Sequence, residues 1–170
     1  MTKMMYNDDY LKVTFKLIRD EDGYPPVSYE SIWVKKDIDG DYVLDNIPTY
    51  IYGVSKSDKI SFHDENGELI VDGIKNRNGH STLRVYVFDK ANLIGIINKI
   101  RELGANTSSS STSTYFSIDI TPDISFDLID SYLSGLLSNE ILDYEDACLQ
   151  HPNIDIQRKH ECESLINIIM

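Results

Sequence analysis

STLRVYVFDKANLIGIINKIREL, residues 81–103, changes its hydrophobic period halfway along and so indicates where a strand gives way to a helix. In the first part, apolar residues take every second position, which is typical of a strand with one buried face: Leu83, Val85 and Val87. In the second part they recur at helical spacing: Leu93, Ile96, Ile97, Ile100 and Leu103. Asp89 is placed to cap this helix and Gly104 to end it. The stretch therefore predicts a strand followed at once by an amphipathic helix.

Downstream, the same succession of strand and helix is repeated. Residues 106–114 are almost wholly Ser and Thr, a composition that favours a flexible loop. Residues 115–120 predict a strand, and the apolar positions after it predict a second helix: Phe126, Ile129, Leu133, Leu136 and Leu137. Strand, helix, strand and helix make half of a ferredoxin-like unit, in which the two strands would lie parallel and be joined by a right-handed crossover.

Upstream, the chain predicts a meander of antiparallel strands. Residues 10–18 alternate between apolar and polar side chains, as expected for a half-buried strand. Two hairpins follow, one turning at the acidic residues 37–41 and one at Asn66-Gly67. Asn-Gly is the strongest two-residue hairpin signal in a sequence.

These patterns predict an α+β fold. It consists of an N-terminal antiparallel strand meander at residues 10–88, a β-α-β-α portion at 89–149 that shares its core, and a short C-terminal helix in an extension at 150–170. We expect residues 1–149 to form one domain, since 170 residues suffice for a single hydrophobic core.

The charge balance disfavours several classes of partner. The chain has 28 Asp and Glu against 16 Lys and Arg, a net charge of -12 and an isoelectric point near 4.6. Nucleic acids and anionic membrane surfaces would be repelled, because both are bound through clustered cations. The acidity favours a cationic partner, such as the positive cleft of a nuclease, although it also serves simply to keep a protein soluble.

The compartment is predicted from the chain start and the cysteines. Residues 1–10 lack a basic start followed by an apolar segment, and no long uninterrupted apolar stretch is present. Cys148 and Cys162 could form a disulfide, but a chain of this length does not require one. We expect a cytoplasmic protein with reduced thiols.

Five phrases of the sequence resemble those of a bacterial family. They are Glu-Asp-Gly-Tyr-Pro-Pro at 21–26, Leu-Asp-Asn-Ile-Pro at 44–48, a Gly-x-Ser-x-x-Asp phrase at 53–58, Gly-His-Ser-Thr-Leu-Arg at 79–84 and Asp-Tyr-Glu-x-Ala-Cys at 143–148. In this order they are similar to the family called domain of unknown function 4265, over residues 11–149. The resemblance implies an α+β fold and no agreed activity. Small proteins of this sort are sometimes encoded beside toxins as immunity proteins, which is an association and not a physical argument.

Catalysis is the weaker interpretation of the polar residues. His80, Arg84 and Asp45 include a base and an electrophile near a turn, and could do acid-base work if they shared one cavity. The alternative is that His80 belongs to turn chemistry and that Arg84 pairs with a carboxylate. No metal ligand set, glycine-rich phosphate loop or other cofactor motif is present in the sequence, and the acids around Cys148 disfavour a nucleophilic thiolate.

Tyrosines beside carboxylates are the candidate partner-binding residues, because tyrosine offers a wide contact area at low entropic cost. They are Asp22, Tyr24, Asp37, Asp39, Asp41, Tyr42, Asp143, Tyr144, Glu145 and Asp146. The leading prediction is an immunity protein that binds a cationic toxin domain, for example a contact-dependent growth inhibition ribonuclease. Two alternatives stay open: an enzyme or small-ligand-binding protein, and a housekeeping interaction protein without a toxin partner.

Overall fold

A computed structural model describes residues 9–109 and 113–170, and strands are its main element. The described residues form nine strands: β1 (Tyr10–Lys16), β2 (Tyr29–Lys36), β3 (Tyr42–Leu44), β4 (Lys59–Glu65), β5 (Glu68–Asn76), β6 (Ser81–Val87), β7 (Asn106–Ser109), β8 (Tyr115–Ile120) and β9 (Leu142–Cys148). They also form three α-helices: α1 (Leu93–Glu102), α2 (Phe126–Ser138) and α3 (Ile156–Glu163).

The first five strands form a closed barrel in chain order. Each strand pairs antiparallel with the next, and β1 also pairs parallel with β5 through Thr14 and Ile70. Five consecutive antiparallel strands leave the first and the last running in the same direction, so the barrel can close only through a parallel contact. Val13 and Phe15 of β1 are fully buried, as the alternation in the sequence predicts.

The predicted strand meander over residues 10–88 is therefore wrong in two respects. Its strands close into a barrel, and its last strand, β6, lies in a second sheet. Hydrophobic alternation identifies β6 as a strand but does not specify which strands pair with it, because pairing depends on contacts distant in sequence.

The second sheet has the order β7-β8-β6-β9, with every neighbouring pair antiparallel. The predicted β-α-β-α half unit with two parallel strands is thus wrong. The polar segment predicted as a loop contains β7, which reverses the chain before β8 begins, so β8 runs antiparallel to β6. Residues 110–112 of that segment lie outside the described residues. The elements from β6 to β9 follow the complete β-α-β-β-α-β order: β6, α1, β7, β8, α2 and β9.

Helices α1 and α2 cover one face of this sheet. The predicted helical positions Ile96, Ile97 and Ile100 are buried in a core that also includes Ile129 and Leu133 of α2. Asp89 accepts a hydrogen bond from the Ala91 backbone N–H at 2.9 Å, at the start of a short 3-10 turn that leads into α1. No helix in the described parts of the chain has both the length and the apolar character needed to cross a bilayer.

The opposite face of the sheet meets the barrel through residues 45–58, which we call the junction segment. Ser117 donates to the Pro48 carbonyl at 3.0 Å, and the Gly53 N–H donates to the Ala147 carbonyl at 2.9 Å. The hydroxyls of Ser55 and Thr82 lie 2.6 Å apart. The junction segment therefore bonds directly to three strands of the sheet.

The C-terminal residues after α3 pack against the barrel. The predicted C-terminal helix corresponds to α3, but the apolar residues of the extension, Leu165, Ile166, Ile168 and Ile169, lie beyond its end. Ile168 forms a bridge with Leu17 and is buried in the barrel core. Asn167 accepts from the Tyr52 N–H at 2.9 Å and donates to the Tyr50 carbonyl at 3.1 Å. The tail thus binds both the barrel and the junction segment.

Candidate functional site

Arg84 is the central residue of the candidate site. On β6 the odd-numbered residues face the helices, so Arg84 faces the junction segment, where it is only 1% exposed. Its Nη2 donates to the Ile51 carbonyl. Among the described residues, its Nε and Nη1 are buried without any hydrogen-bond acceptor. A buried N–H without a partner costs about 1–3 kcal/mol, and more when it is charged. A cation in this state is rare in folded proteins and needs an explanation, such as a bound ligand or water.

Tyr52 contacts both Arg84 and the carboxylate that is opposite it in the sheet. Glu145 of β9 lies directly opposite Arg84 in the strand register. The Tyr52 hydroxyl donates to the Glu145 carboxylate, with distances of 2.7 Å to Oε1 and 2.8 Å to Oε2. The guanidinium carbon of Arg84 lies 4.9 Å from the centre of the Tyr52 ring. Burial and the hydrogen bond to Glu145 raise the pKa of Tyr52, so its hydroxyl remains a donor.

A cavity of about 310 Å³ opens beside Arg84, and we call it the Arg84 pocket. Its lining residues are Tyr24, Arg84, Tyr86, Tyr115, Asp143, Tyr144 and Glu145. Tyr50 supports the wall from behind: its ring stacks on Tyr115 with centroids 6.4 Å apart and meets Tyr24 edge-on at 6.5 Å. This volume is at the lower end of the range for small-molecule sites, roughly 300–1,000 Å³.

The predicted binding residues of the β2–β3 turn already have partners within the chain. Lys59 Nζ lies 3.0 Å from Asp37, 3.6 Å from Asp39 and 3.5 Å from Asp41. Lys75 also pairs with Asp41, at 2.6 Å. The hydrogen bond from Lys59 lowers the pKa of Asp37, and the one from Lys75 lowers the pKa of Asp41. This acidic tip is thus partly neutralised by the chain's own lysines.

The other predicted residues before β4 lie apart from each other. Tyr42 packs edge-on against Phe62, with ring centroids 5.5 Å apart. Asp22 is exposed in a turn, where its backbone N–H donates to Asp20 Oδ1 at 2.9 Å. Of this group only Tyr24 lines the Arg84 pocket.

All four predicted residues on β9 make internal contacts: Glu145 accepts from Tyr52, and Asp143 Oδ1 accepts from the Tyr144 backbone N–H at 2.9 Å. Arg158 of α3 donates to both oxygens of Asp146, at 2.7 and 2.8 Å, and to both oxygens of Asp130, each at 2.9 Å. The Tyr144 hydroxyl donates to Asp130 at 2.8 Å. Burial, together with that hydrogen bond, raises the pKa of Tyr144 to about 12. Asp146 therefore anchors α3 to the sheet, and Tyr144 fixes its ring against α2.

The three residues considered for catalysis are not brought together in the Arg84 pocket. His80 Nδ1 lies 2.7 Å from Oδ1 of the buried Asp119. The backbone N–H of Asp45 donates to the Trp33 carbonyl at 2.9 Å. Neither His80 nor Asp45 lines the Arg84 pocket. Their geometry gives no support to joint acid-base chemistry.

The pair formed by Ser81 and His151 has a structural role. The Ser81 hydroxyl lies 2.6 Å from His151 Nδ1, and His151 Nε2 lies 3.0 Å from the carbonyls of Thr121 and Ile124. Two carbonyl acceptors require a proton on Nε2, so Nδ1 accepts from Ser81. Because Ser81 is fully buried, a substrate cannot reach its hydroxyl. Within the described ranges, no three His, Cys, Asp or Glu side chains are grouped so as to hold a metal ion.

Comparison with known proteins identifies a family. The sequence profile of a family described as a domain of unknown function, DUF4265, matches residues 30–144, more than half of the chain. The chain belongs to the DUF4265 family. The match confirms the predicted resemblance and covers β2 to the first part of β9. Comparison with curated proteins finds no match.

The fold of this DUF4265 member is also found in a solved structure. A crystal structure described as that of a hypothetical protein from Neisseria gonorrhoeae superposes with a TM-score of 0.68. It covers 85% of this chain and 99% of its own, at 20% sequence identity. At that identity the likeness shows a shared fold.

Three of the five phrases noted in the sequence supply most of the wall of the Arg84 pocket: Tyr24 from residues 21–26, Arg84 from 79–84, and Asp143, Tyr144 and Glu145 from 143–148. The phrases at 44–48 and 53–58 lie in the junction segment that covers Arg84. Segments far apart in sequence thus converge on one cavity in this DUF4265 chain.

Three tyrosines of the site were not predicted as functional. Tyr86 and Tyr115 lie on the same face of the sheet as Arg84, because the strand registers pair Tyr86 with Tyr115 and place Tyr86 two residues from Arg84. The sequence shows this only once the pairing of the strands is known. Tyr52 carries none, because it lies in the irregular junction segment. Strand propensity explains a tyrosine on β6 or β8 equally well without any function.

Proposed function

We propose that the protein is an immunity protein that binds and neutralises a cationic toxin domain. Support comes from one surface, the sheet patch, formed by the exposed Tyr24, Tyr86, Phe88 and Asp143 and by the partly buried Glu145. Tyr86 and Phe88 are 50% and 55% exposed, and their rings lie 5.9 Å apart. Asp143 is opposite Tyr86 in the strand register. Exposed aromatic rings flanked by carboxylates have the composition of a protein-binding hot spot for a basic partner.

The proposed mechanism is occlusion of the toxin's substrate cleft. A ribonuclease binds the phosphates of RNA through lysines and arginines. In this mechanism the carboxylates of the sheet patch take the place of the phosphates and pair with those cations. The net charge of -12 would accelerate association, while burial of Tyr86 and Phe88 would slow dissociation. In this proposal the protein acts in the cytoplasm, where the toxin attacks its substrate, and binds neither nucleic acid nor membrane.

The acidic tip remains a predicted secondary contact. Its carboxylates are already paired with Lys59 and Lys75 and would have to give up these ion pairs to bind cations of the partner. One set of exposed ion pairs would replace another, so the gain in binding free energy would be small. Among the described residues, Asp143 forms no ion pair with a lysine or arginine. A cation of the partner could therefore pair with Asp143 without breaking an existing ion pair. The proposal therefore places the main contact at the sheet patch.

The test is co-expression with the C-terminal domain of the protein encoded immediately upstream at the native locus, with survival as the readout. We expect the wild-type protein to protect the cell. Asp143→Lys should abolish protection and weaken binding by about tenfold or more, because it puts a cation against a cationic cleft. Asp39→Lys at the acidic tip should have a smaller effect.

Glu161→Lys is the matched control, since it makes the same charge change at an exposed position of α3 away from the sheet patch. It should retain full protection. If the wild-type protein neither protects the cell nor binds the upstream domain, the immunity proposal is wrong and a housekeeping interaction role is favoured. Equal loss with Asp143→Lys and Glu161→Lys would exclude the sheet patch as the specific contact.

A further inference from the structure

We propose that the Arg84 pocket binds a small zwitterion, a molecule that carries a carboxylate next to a protonated amine, as a free α-amino acid does. The pocket shares Tyr24, Tyr86, Asp143 and Glu145 with the sheet patch. Its test uses the isolated protein, so its outcome does not depend on whether a toxin binds. It rests on the unsatisfied cation, on the two carboxylates of the pocket and on its tyrosine walls.

The first step concerns the carboxylate of the ligand. Arg84 is 1% exposed, and among the described residues two of its three guanidinium nitrogens have no acceptor. A planar carboxylate is the anion that best matches a guanidinium, and charge-assisted hydrogen bonds of this kind are about twice as strong as neutral ones. Binding a carboxylate would satisfy a charge that the fold leaves without a counterion.

The second step explains why Glu145 does not already fill this role. Glu145 is opposite Arg84 in the register, yet both of its oxygens accept from the Tyr52 hydroxyl, whose ring lies against the guanidinium. Side chains in this relation have Cβ atoms roughly 4.5–5.5 Å apart. Tyr52 thus holds a positive and a negative group side by side on one wall of the pocket without pairing them.

The third step concerns the amine. The pocket is lined by one cation, Arg84, and by two carboxylates, Asp143 and Glu145. A simple anion would be repelled by the carboxylates, and a simple cation by Arg84. A ligand that carries both charges a short distance apart can match both, with its carboxylate towards Arg84 and its amine towards Glu145 or Asp143.

The fourth step concerns the rest of the ligand. Tyrosines form the remaining walls: Tyr24, Tyr86, Tyr115 and Tyr144. Such walls favour an apolar or aromatic side chain, and a protonated amine also gains from the faces of the rings. Because Arg84 Nε and Nη1 are shielded from solvent, a wall side chain must turn to admit the carboxylate. Tyr24 and Tyr86 are the most exposed tyrosines of the wall.

The experiment is a titration of the isolated full chain, followed by calorimetry and by NMR of the tyrosine rings. Three probes share one skeleton: phenylalanine has both charges, 3-phenylpropionate has only the carboxylate and phenethylamine has only the amine. The other standard α-amino acids are then compared. We expect at least one α-amino acid to bind and to shift the rings of Tyr24 and Tyr86. Removing either charge from it should weaken binding by about tenfold or more.

Variants assign each charge to its partner. Arg84→Met should eliminate the advantage of the amino acid over the corresponding amine, and Glu145→Gln should reduce its advantage over the corresponding carboxylate. Glu145→Gln keeps an oxygen for Tyr52, so it tests the site even if Arg84→Met does not fold. Asp39→Asn, outside the pocket, should bind like the wild type. The proposal is overturned if no standard α-amino acid binds, or if the matched carboxylate alone binds as tightly as the amino acid.

Discussion

At the scale of single residues, buried polar groups tie the barrel to the sheet. The carboxylate of Asp58 is fully buried in the junction segment. It accepts from the Ser55 N–H at 2.9 Å, from Gln150 Nε2 at 2.9 and 3.0 Å and from the Asn78 N–H at 3.3 Å. Burial raises the pKa of Asp58 in spite of these donors. The carboxylate therefore costs energy to bury, and its bonds hold three segments distant in sequence.

The pKa of Asp130 is shifted downwards, in the opposite direction to that of Asp58, and this shift predicts a pH-dependent stability. Burial alone would raise its pKa, but hydrogen bonds from Arg158 and Tyr144 outweigh burial and lower it. Asp130 therefore stabilises the fold above its ordinary pKa, and this contribution is lost as the pH falls through the lowered value. Asp130→Asn should reduce the free energy of unfolding by about 1–3 kcal/mol at neutral pH.

Urea denaturation at several pH values measures this effect. The difference between wild type and Asp130→Asn should shrink as the pH falls below the ordinary pKa of an aspartate. Glu21→Gln removes the same charge from an exposed turn and should change stability little. A difference that stays constant with pH would show that Asp130 contributes by packing alone.

The thiols give a second prediction at this scale. Cys148 and Cys162 are free and buried, and burial raises the pKa of both, that of Cys162 to about 12. Because the thiolate is the reactive form, neither should be alkylated by iodoacetamide in the native protein at about pH 8. Both should react fully in denaturant, as mass spectrometry can measure. Rapid native labelling would contradict this burial.

At the scale of elements, Gly53 fixes how the junction segment passes the C-terminal tail. Its φ is +92°, and a Cβ there would lie 2.5 Å from Ile166 Cγ1. Gly53→Ala should therefore destabilise the protein by more than the strain of positive φ alone, which is about 1 kcal/mol. Thermal and urea unfolding measure the loss.

Gly40→Ala is the matched control, because Gly40 also has a positive φ of +84° but nothing near its missing Cβ. It should show the backbone strain without the clash. In an Ile166→Ala background, the cost of Gly53→Ala should approach that of Gly40→Ala. If the two alanine variants are equally stable in the wild-type background, the contact with Ile166 has no energetic weight.

The elements also differ in how well their sequences predict them. β1 and α1 follow their hydrophobic periods, because each buries one face against a core. The polar sequence of β7 predicts a loop, and the predicted β-α-β-α portion contains no strand at the position of β9. Both are edge strands of the sheet, so their sequences lack the strong apolar pattern of central strands.

At the scale of the whole molecule, we predict that the barrel and the sheet unfold together. The junction segment bonds to both, and Asn167 of the tail bonds to the junction segment. Trp33, the sole tryptophan, lies in β2 of the barrel, whereas α1 and α2 lie on the sheet. Tryptophan fluorescence and helical circular dichroism should therefore give coincident urea transitions.

The same two urea transitions can be measured for the Asn167→Ala variant. It removes contacts between the tail and the junction segment, so both transitions should shift to lower urea by the same amount. Two separated transitions in the wild type would show instead that barrel and sheet are independent domains, against the predicted single domain of residues 1–149.

By itself the sequence determined the positions of most strands, the two helices that cover the sheet, the acidic charge and the family. These depend on local periodicity, composition and short phrases, which are readable along the chain. Only the tertiary structure decided that five strands close into a barrel, that β6 lies in a separate sheet and that Arg84 and Glu145 lie side by side on one wall of a pocket, each in contact with Tyr52. The physical reason is that strand pairing and the burial of an unpaired charge depend on contacts between residues far apart in sequence, for which a local pattern carries no information.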